Sequence, residues 1–227
     1  MPRMELIIIS IGALSKNPLW NERTPVRSSH ATTTLLQTAG ANVLVDPSLP
    51  GEVLAARLGE RAGIGVDAIT HVFLTNWRPV HRRGLERFPK AVWWMHEPEI
   101  DAVFAALDQA EEQAAHQGSR EMEVLIKKER VVLHHMQAAP EELAENLQLY
   151  PLPGYTPGQC GLIVTEPTLT TIVAGAAVPT AGHFAAGQVF PDCWDLEKAK
   201  ESLRELLEVA DVIVPGHDNL FVARRSV

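Results

Sequence analysis

Thr70-His71-Val72-Phe73-Leu74-Thr75-Asn76-Trp77-Arg78-Pro79-Val80-His81-Arg82-Arg83-Gly84-Leu85 is the stretch on which the reading of the chain turns. The apolar, β-branched run Ile69–Thr75 predicts a strand. It stops at a polar turn, and Pro79 breaks the backbone before a short helix predicted over Arg82–Phe88. A strand that ends in polar side chains delivers them to the rim of a sheet, where binding groups tend to sit. Beyond it, Ala91–His96 reads as another strand, and strand, helix, strand is the alternation of a layered α and β architecture.

Upstream, Glu5–Ile11 is β-branched and reads as a buried strand. A signal peptide is the weaker reading of this region, because Arg3 is the only basic residue before it and Lys16-Asn17-Pro18 offers no small-x-small cleavage pattern. Ala31–Gln37 and Asn42–Val45 predict a hairpin through Ala39-Gly40-Ala41, with glycine supplying a positive φ. Asp46-Pro47 closes that pair. A helix then runs from Gly51 through Arg61, with Val53, Leu54, Leu58 and Ala62 at helical spacing.

Downstream, Glu97-Pro98-Glu99 has the proline and carboxylates of a helix start. The charged stretch Glu111–Arg130 is weakly patterned and reads as a solvated helix or mobile loop, protruding beside the pocket between about Gln109 and Arg130, with a lid over the pocket or a dimer contact as the alternative. Leu147–Leu152, Gly161–Thr165 and Thr170–Ala174 predict strands. Asp195 caps a helix Leu196–Val209 with Leu203, Leu206 and Leu207 as its buried stripe, and Asp211–Val214 is a last strand.

The 227 residues, 46% of them hydrophobic, suffice for one substantial core and predict a single domain, 1–227. A net charge of −8 argues against nonspecific nucleic-acid binding, which needs a basic face. Cys160 and Cys193 are too few for a disulfide framework and read as reduced thiols of a cytoplasmic protein, Cys193 as a small buried one. No apolar run approaches the roughly 20 residues needed to span a membrane.

Five separated motifs resemble the metallo-β-lactamase superfamily, from about Leu6 to Phe221. Ser29-His30-Ala31-Thr32-Thr33-Thr34 with Val43-Leu44-Val45-Asp46-Pro47 is similar to its first hairpin. The stretch quoted at the outset resembles its His-x-His-x-Asp-His signature followed by Gly-Leu. Pro153-Gly154-Tyr155-Thr156-Pro157-Gly158, Ala174-Gly175-Ala176 and Pro215-Gly216-His217 resemble its Pro-Gly-His-Thr-Pro-Gly, Thr-Gly-Asp and Pro-Gly-His. The resemblance implies a four-layer α/β/β/α sandwich and a hydrolase's metal site.

Laid on those motifs, only His81 and His217 keep the family's ligands. Asn76, Arg78, Val80, Tyr155 and Ala176 replace the rest. Val80 and Ala176 have nothing to donate, and Arg78 is permanently charged. A guanidinium about 4 Å from a divalent cation is repelled by roughly 8 kcal/mol at an effective dielectric of about 20. The resemblance, so altered, implies a pseudo-hydrolase with no cofactor, binding a small anionic ligand or a protein partner. Its pocket would be formed by Asn76, Arg78, His81, Tyr155, Ala176, His183 and His217, with His81 and Tyr155 as candidate acid–base groups. The alternative is a hydrolase with one zinc, iron or manganese ion at low occupancy on His81 and His217. A homodimer is expected, with Val103 and Leu107 as possible contacts. His71 and Trp93-Trp94 read as packing residues, His134-His135 as loop surface and Arg82-Arg83 as solvated charge.

Overall fold

The computed structural model describes residues 4–223. The two ends of the expected 1–227 domain, residues 1–3 and 224–227, lie outside the described residues. The first sheet is ordered β1 (Glu5–Ser10), β2 (Thr33–Gln37), β3 (Asn42–Val45), β4 (His71–Leu74), β5 (Val92–Met95), β6 (Met136–Ala138). Its connections carry α1 (Gly51–Ala62), α2 (Pro79–Arg82), α3 (Glu97–Gln117) and α4 (Arg120–Leu133). The second sheet contains β7 (Glu142–Ala144), β8 (Leu147–Pro151), β9 (Cys160–Glu166), β10 (Leu169–Gly175), β11 (Val212–Pro215) and β12 (Phe221–Val222), side by side in sequence order. Helices α5 (Ala181–Ala185) and α6 (Leu196–Val209) connect β10 to β11.

Alternation along the strands assigns the layers, because neighbouring side chains of a strand face opposite ways. In β4, Val72 and Leu74 join Leu54 and Leu58 of α1 in one core. Phe73, between them, joins Leu162, Val173 and Val214 of the other sheet in a second core. Ile172 and Ile213 turn away from that interface into a third, with Leu203 and Leu206 of α6. Three cores separate four layers, the α/β/β/α sandwich read from the sequence.

The departures have local causes. The β2–β3 turn uses no left-handed glycine. Thr38 Oγ1 instead accepts from the N–H groups of Gly40 and Ala41, at 3.4 and 3.0 Å. The helix expected over Arg82–Phe88 is split into α2 and a 3₁₀ turn at Leu85–Arg87. Gly84 sits at the break, where a Cβ would lie 2.4 Å from Leu49 O and 2.5 Å from Leu54 Cδ1. The charged stretch Glu111–Arg130 forms the end of α3 and most of α4. Val53 and Leu207, expected in buried stripes, are exposed. Among the described residues no helix is long and apolar enough to cross a membrane.

Candidate functional site

Parallel β3 and β4 end side by side, and their C-terminal residues meet at Asp46. This aspartate has φ +50°, unusual for a non-glycine residue, and its carboxylate is 1% exposed. It accepts from Thr75 N at 2.9 Å, Thr75 Oγ1 at 2.7 Å and His81 Nδ1 at 2.8 Å. With the Nδ1 proton donated to Asp46, the other ring nitrogen, Nε2, is left as an acceptor. That Nε2 is buried and meets no partner.

The second sheet brings up the facing imidazole. β10 ends at Gly175, whose φ of +53° and close approach to Thr75 leave no room for a side chain: a Cβ would lie 2.5 Å from Thr75 Oγ1. β11 ends beside it, and His217 follows with its N–H donated to Pro179 O at 2.9 Å. The His217 and His81 rings stand edge to face, centroids 5.8 Å apart. His217 Nδ1 is also buried without a partner. Burial pushes the His217 pKa down to about 3, helped by the neighbouring His81, His30 and His183.

The other replaced positions have taken up different work. Asn76 is buried and staples the turn: its Oδ1 accepts from Arg78 N at 3.0 Å and its Nδ2 donates to Gln159 Oε1 at 3.4 Å. Ala176 is buried beside Gly175, and Val80 is half-buried. His183, on α5, is held by Thr180 Oγ1 at 2.8 Å from its Nδ1, and burial lowers its pKa. Arg78 is exposed, its guanidinium 5.3 Å from the centre of the Tyr155 ring. Among the described residues no carboxylate bonds to it. The Asp46 carboxylate is filled as described, and Asp218 accepts from Ala181 N and Asn219 N. Burial raises the pKa of the Tyr155 phenol, and Arg78 opposes that rise.

These side chains divide between two compartments rather than surrounding one cavity. Arg78 and Tyr155 line an open groove of about 600 Å³, together with Trp77, Val103, Leu107 and Trp194. Asn76, His81, Ala176 and His217 lie buried behind it. Phe190, which the sequence reading passed over, stands at the partition. Its ring is 5.1 Å from Tyr155, 5.7 Å from His217 and 6.3 Å from His183.

Three further side chains build the groove. The Glu99 carboxylate, 1% exposed, accepts from Trp77 N and Gly158 N, both at 3.0 Å, tying α3 to two loops. Arg82 is not solvated charge. Its guanidinium lies 4.0 Å from the Trp77 ring centre, donates to Trp77 O at 2.8 Å and reaches Glu129 of α4 at 2.5 Å. Glu129 also accepts from Trp77 Nε1 at 3.0 Å. Cys193, expected as a buried thiol, is half-buried on the groove wall. The spacing of Trp77, Arg82 and Glu129 carries no motif; only the tertiary placement of α4 unites them.

Comparison with curated proteins finds no match. Solved structures of similar fold include AidC, a dizinc quorum-quenching lactonase in complex with a product, N-hexanoyl-L-homoserine. It has a TM-score of 0.67, 18% identity, and coverage of 85% of this chain and 74% of AidC. An AiiA variant of B. thuringiensis with N-decanoyl-L-homoserine at its active site has a TM-score of 0.65, 19% identity, and coverage of 96% and 93%. An N-acyl homoserine lactone hydrolase with its product at the catalytic metal centre gives the same figures. At such identities the shared property is the fold.

These neighbours overturn the expectation of no cofactor. A dizinc enzyme and one with a catalytic metal centre share this fold, and metal is the cofactor they point to. The donors in this chain nonetheless do not fit a dinuclear centre. Catalytic zinc takes three or more nitrogen, sulfur or carboxylate ligands. Among the described residues no three His, Cys, Asp or Glu side chains gather as a ligand group. The two unpartnered imidazole nitrogens are what remains of the set. The fold, the buried histidine pair and the five ordered motifs agree with a match over residues 28–217 to the metallo-β-lactamase superfamily, and the chain belongs to that superfamily.

Proposed function

We propose that this chain is a pseudo-hydrolase of the superfamily, binding a small anion with an apolar body in the groove beside Arg78. The observation that carries the reading is an exposed guanidinium, without a carboxylate partner among the described residues, at an apolar groove. A guanidinium presents a planar fork suited to carboxylate or phosphate oxygens. Tyr155 supplies a phenol beside it, and Trp77, Val103, Leu107 and Trp194 supply apolar wall. The N-acyl-homoserines held by the neighbours combine an acyl chain with a carboxylate, which suits the same division of labour.

The test is calorimetric titration with sulfate and with a series of straight-chain carboxylates. Affinity should rise with chain length, by up to ~4-fold per buried methylene at about 0.8 kcal/mol each. Arg78→Ala should weaken binding about 10–100-fold, the loss of a charge-assisted bidentate contact. Unchanged affinity in Arg78→Ala, or no binding of any member of the series, refutes the reading.

The unpartnered Nε2 of His81 and Nδ1 of His217 favour a second reading, a hydrolase with one metal ion on this pair. Metal analysis of tag-free protein separates the two. One equivalent per chain, lost in His217→Ala, together with hydrolysis of a lactone or ester, favours the second.

A further inference from the structure

Of the exposed large apolar side chains, Met122, Val124, Leu125 and Val131 all belong to α4, with exposures of 48, 47, 51 and 60%. At 100° per residue, Val124, Lys128 and Val131 point outward together, flanked by Glu121 and Leu125. The opposite face carries the buried Ile126 and Leu133. The expected dimer contacts Val103 and Leu107 are unsuited to that part: both are half-buried and line the groove. The open apolar face of this part of the molecule is on α4.

Its charges run in a definite order. Behind Arg120, the acidic Glu121 and Glu123 occupy the first turn, and in the second half Lys127, Lys128 and Arg130 outnumber Glu129, so the helix is acidic early and basic late. Such a helix repels a parallel copy of itself in register and attracts an antiparallel one. With a two-fold axis beside Val124 and Leu125, Glu121 of each copy faces Lys128 of the other, and Val124 packs on the partner copy's equivalent of Leu125. The contact is self-complementary, as a closed dimer requires.

We propose that the outward face of α4 docks antiparallel onto its counterpart in a second copy of the chain. The charge order suits a second copy, whose antiparallel helix sets Lys128 against Glu121 at both ends of the contact. The 14 residues of α4 span only about 21 Å, so the interface is small and the dimer dissociates in the micromolar range. Glu129, next to Lys128, bonds Trp77 and Arg82 at the groove. A second copy pressed on α4 therefore also steadies the groove wall.

Sedimentation equilibrium of the full chain between about 1 and 200 µM tests this, since the interface class implies a transition inside that range. Leu125→Glu should loosen the dimer at least ~30-fold, because it buries a charge in the apolar centre. Glu121→Lys and Lys128→Glu, each alone, should weaken it about 5-fold by setting like charges face to face. The double variant, with the charges exchanged, should recover wild-type affinity to within ~2-fold. Recovery shows that the weakening in the single variants comes from the charge pairing, and an unchanged far-UV circular dichroism spectrum of each single variant shows that it folds. A monomer throughout the range, a dimer indifferent to Leu125→Glu, or a double variant weaker than either single one overturns the proposal.

Discussion

Replacing Asp46 by alanine removes one acceptor group from three donors at once. Thr75 N, Thr75 Oγ1 and His81 Nδ1 all point at its carboxylate, within 2.9 Å, and Thr75 and His81 are fully buried. A buried donor stripped of its acceptor costs about 1–3 kcal/mol. Thr75 Oγ1 can accept the Nδ1 proton of His81, already 3.3 Å away, and that recovers part of the loss. Asp46→Ala should therefore cost about 3–6 kcal/mol, counting two donors fully and the third in part. For a chain of this length the melting temperature should fall about 10–20 °C. Asp46→Asn keeps the shape and one acceptor oxygen, and should lose roughly half as much. Urea unfolding followed by tryptophan fluorescence, with a thermal scan alongside, measures both. A cost below about 1 kcal/mol for Asp46→Ala would refute the reasoning, since even one orphaned donor exceeds it.

His217 gives a pH dependence whose sign is fixed by its depressed pKa. Its folded value is about 3 against an ordinary 6.5, so the unfolded chain binds the proton first as pH falls. Its contribution is complete above pH 6.5 and is lost progressively down to about pH 3, reaching about 2 kcal/mol by pH 5. The slope in that window should flatten in His217→Leu, measured by urea unfolding at a series of pH values. Glu129→Ala should loosen α4 from the groove at a cost of about 1–3 kcal/mol, because Trp77 Nε1 and Arg82 lose their shared acceptor. Faster amide exchange across α4, with β4 unchanged, is the expected signature; uniform acceleration of both would count against the latch.

Where local chemistry and tertiary structure point the same way, the chain was legible. Asp195 caps α6 by accepting from Glu197 N and Lys198 N, at 3.0 and 3.1 Å, and the helix has the predicted bounds Leu196–Val209. β4 read cleanly because a parallel strand covered on both faces is a continuous apolar run. The strands missed were β6, β7 and β12, each of two or three residues. Pairs and triplets have no periodicity to detect; their neighbours in the sheet hold them. At the site, His81 and His217 were legible from their motifs, while Phe190, Glu99 and Glu129 were not. Each of these acts across a long sequence separation, as in the 52 residues between Trp77 and Glu129.

The partition at Phe190 also changes how the altered ligand positions are to be understood. Val80 and Ala176 are the replacements that make a buried metal pocket comfortable without its full charge, for an apolar side chain leaves nothing unsatisfied. The histidines have not followed them. His81 Nε2 and His217 Nδ1 remain buried and unpartnered, at a cost of about 1–3 kcal/mol each. Leucine at position 217 would leave no ring nitrogen unsatisfied, whereas His81 is also held to Asp46 through its Nδ1. The buried pair thus keeps two ring nitrogens without a protein partner, while Arg78 lies exposed at the groove, in contact with Tyr155. A molecule in the outer groove meets Arg78 and the Tyr155 phenol. The Phe190 ring, 5.1 Å from Tyr155 and 5.7 Å from His217, packs against both the groove side and the buried pair. On the proposed reading, recognition rests on Arg78 and any chemistry on the histidine pair, so a loss at one does not entail a loss at the other.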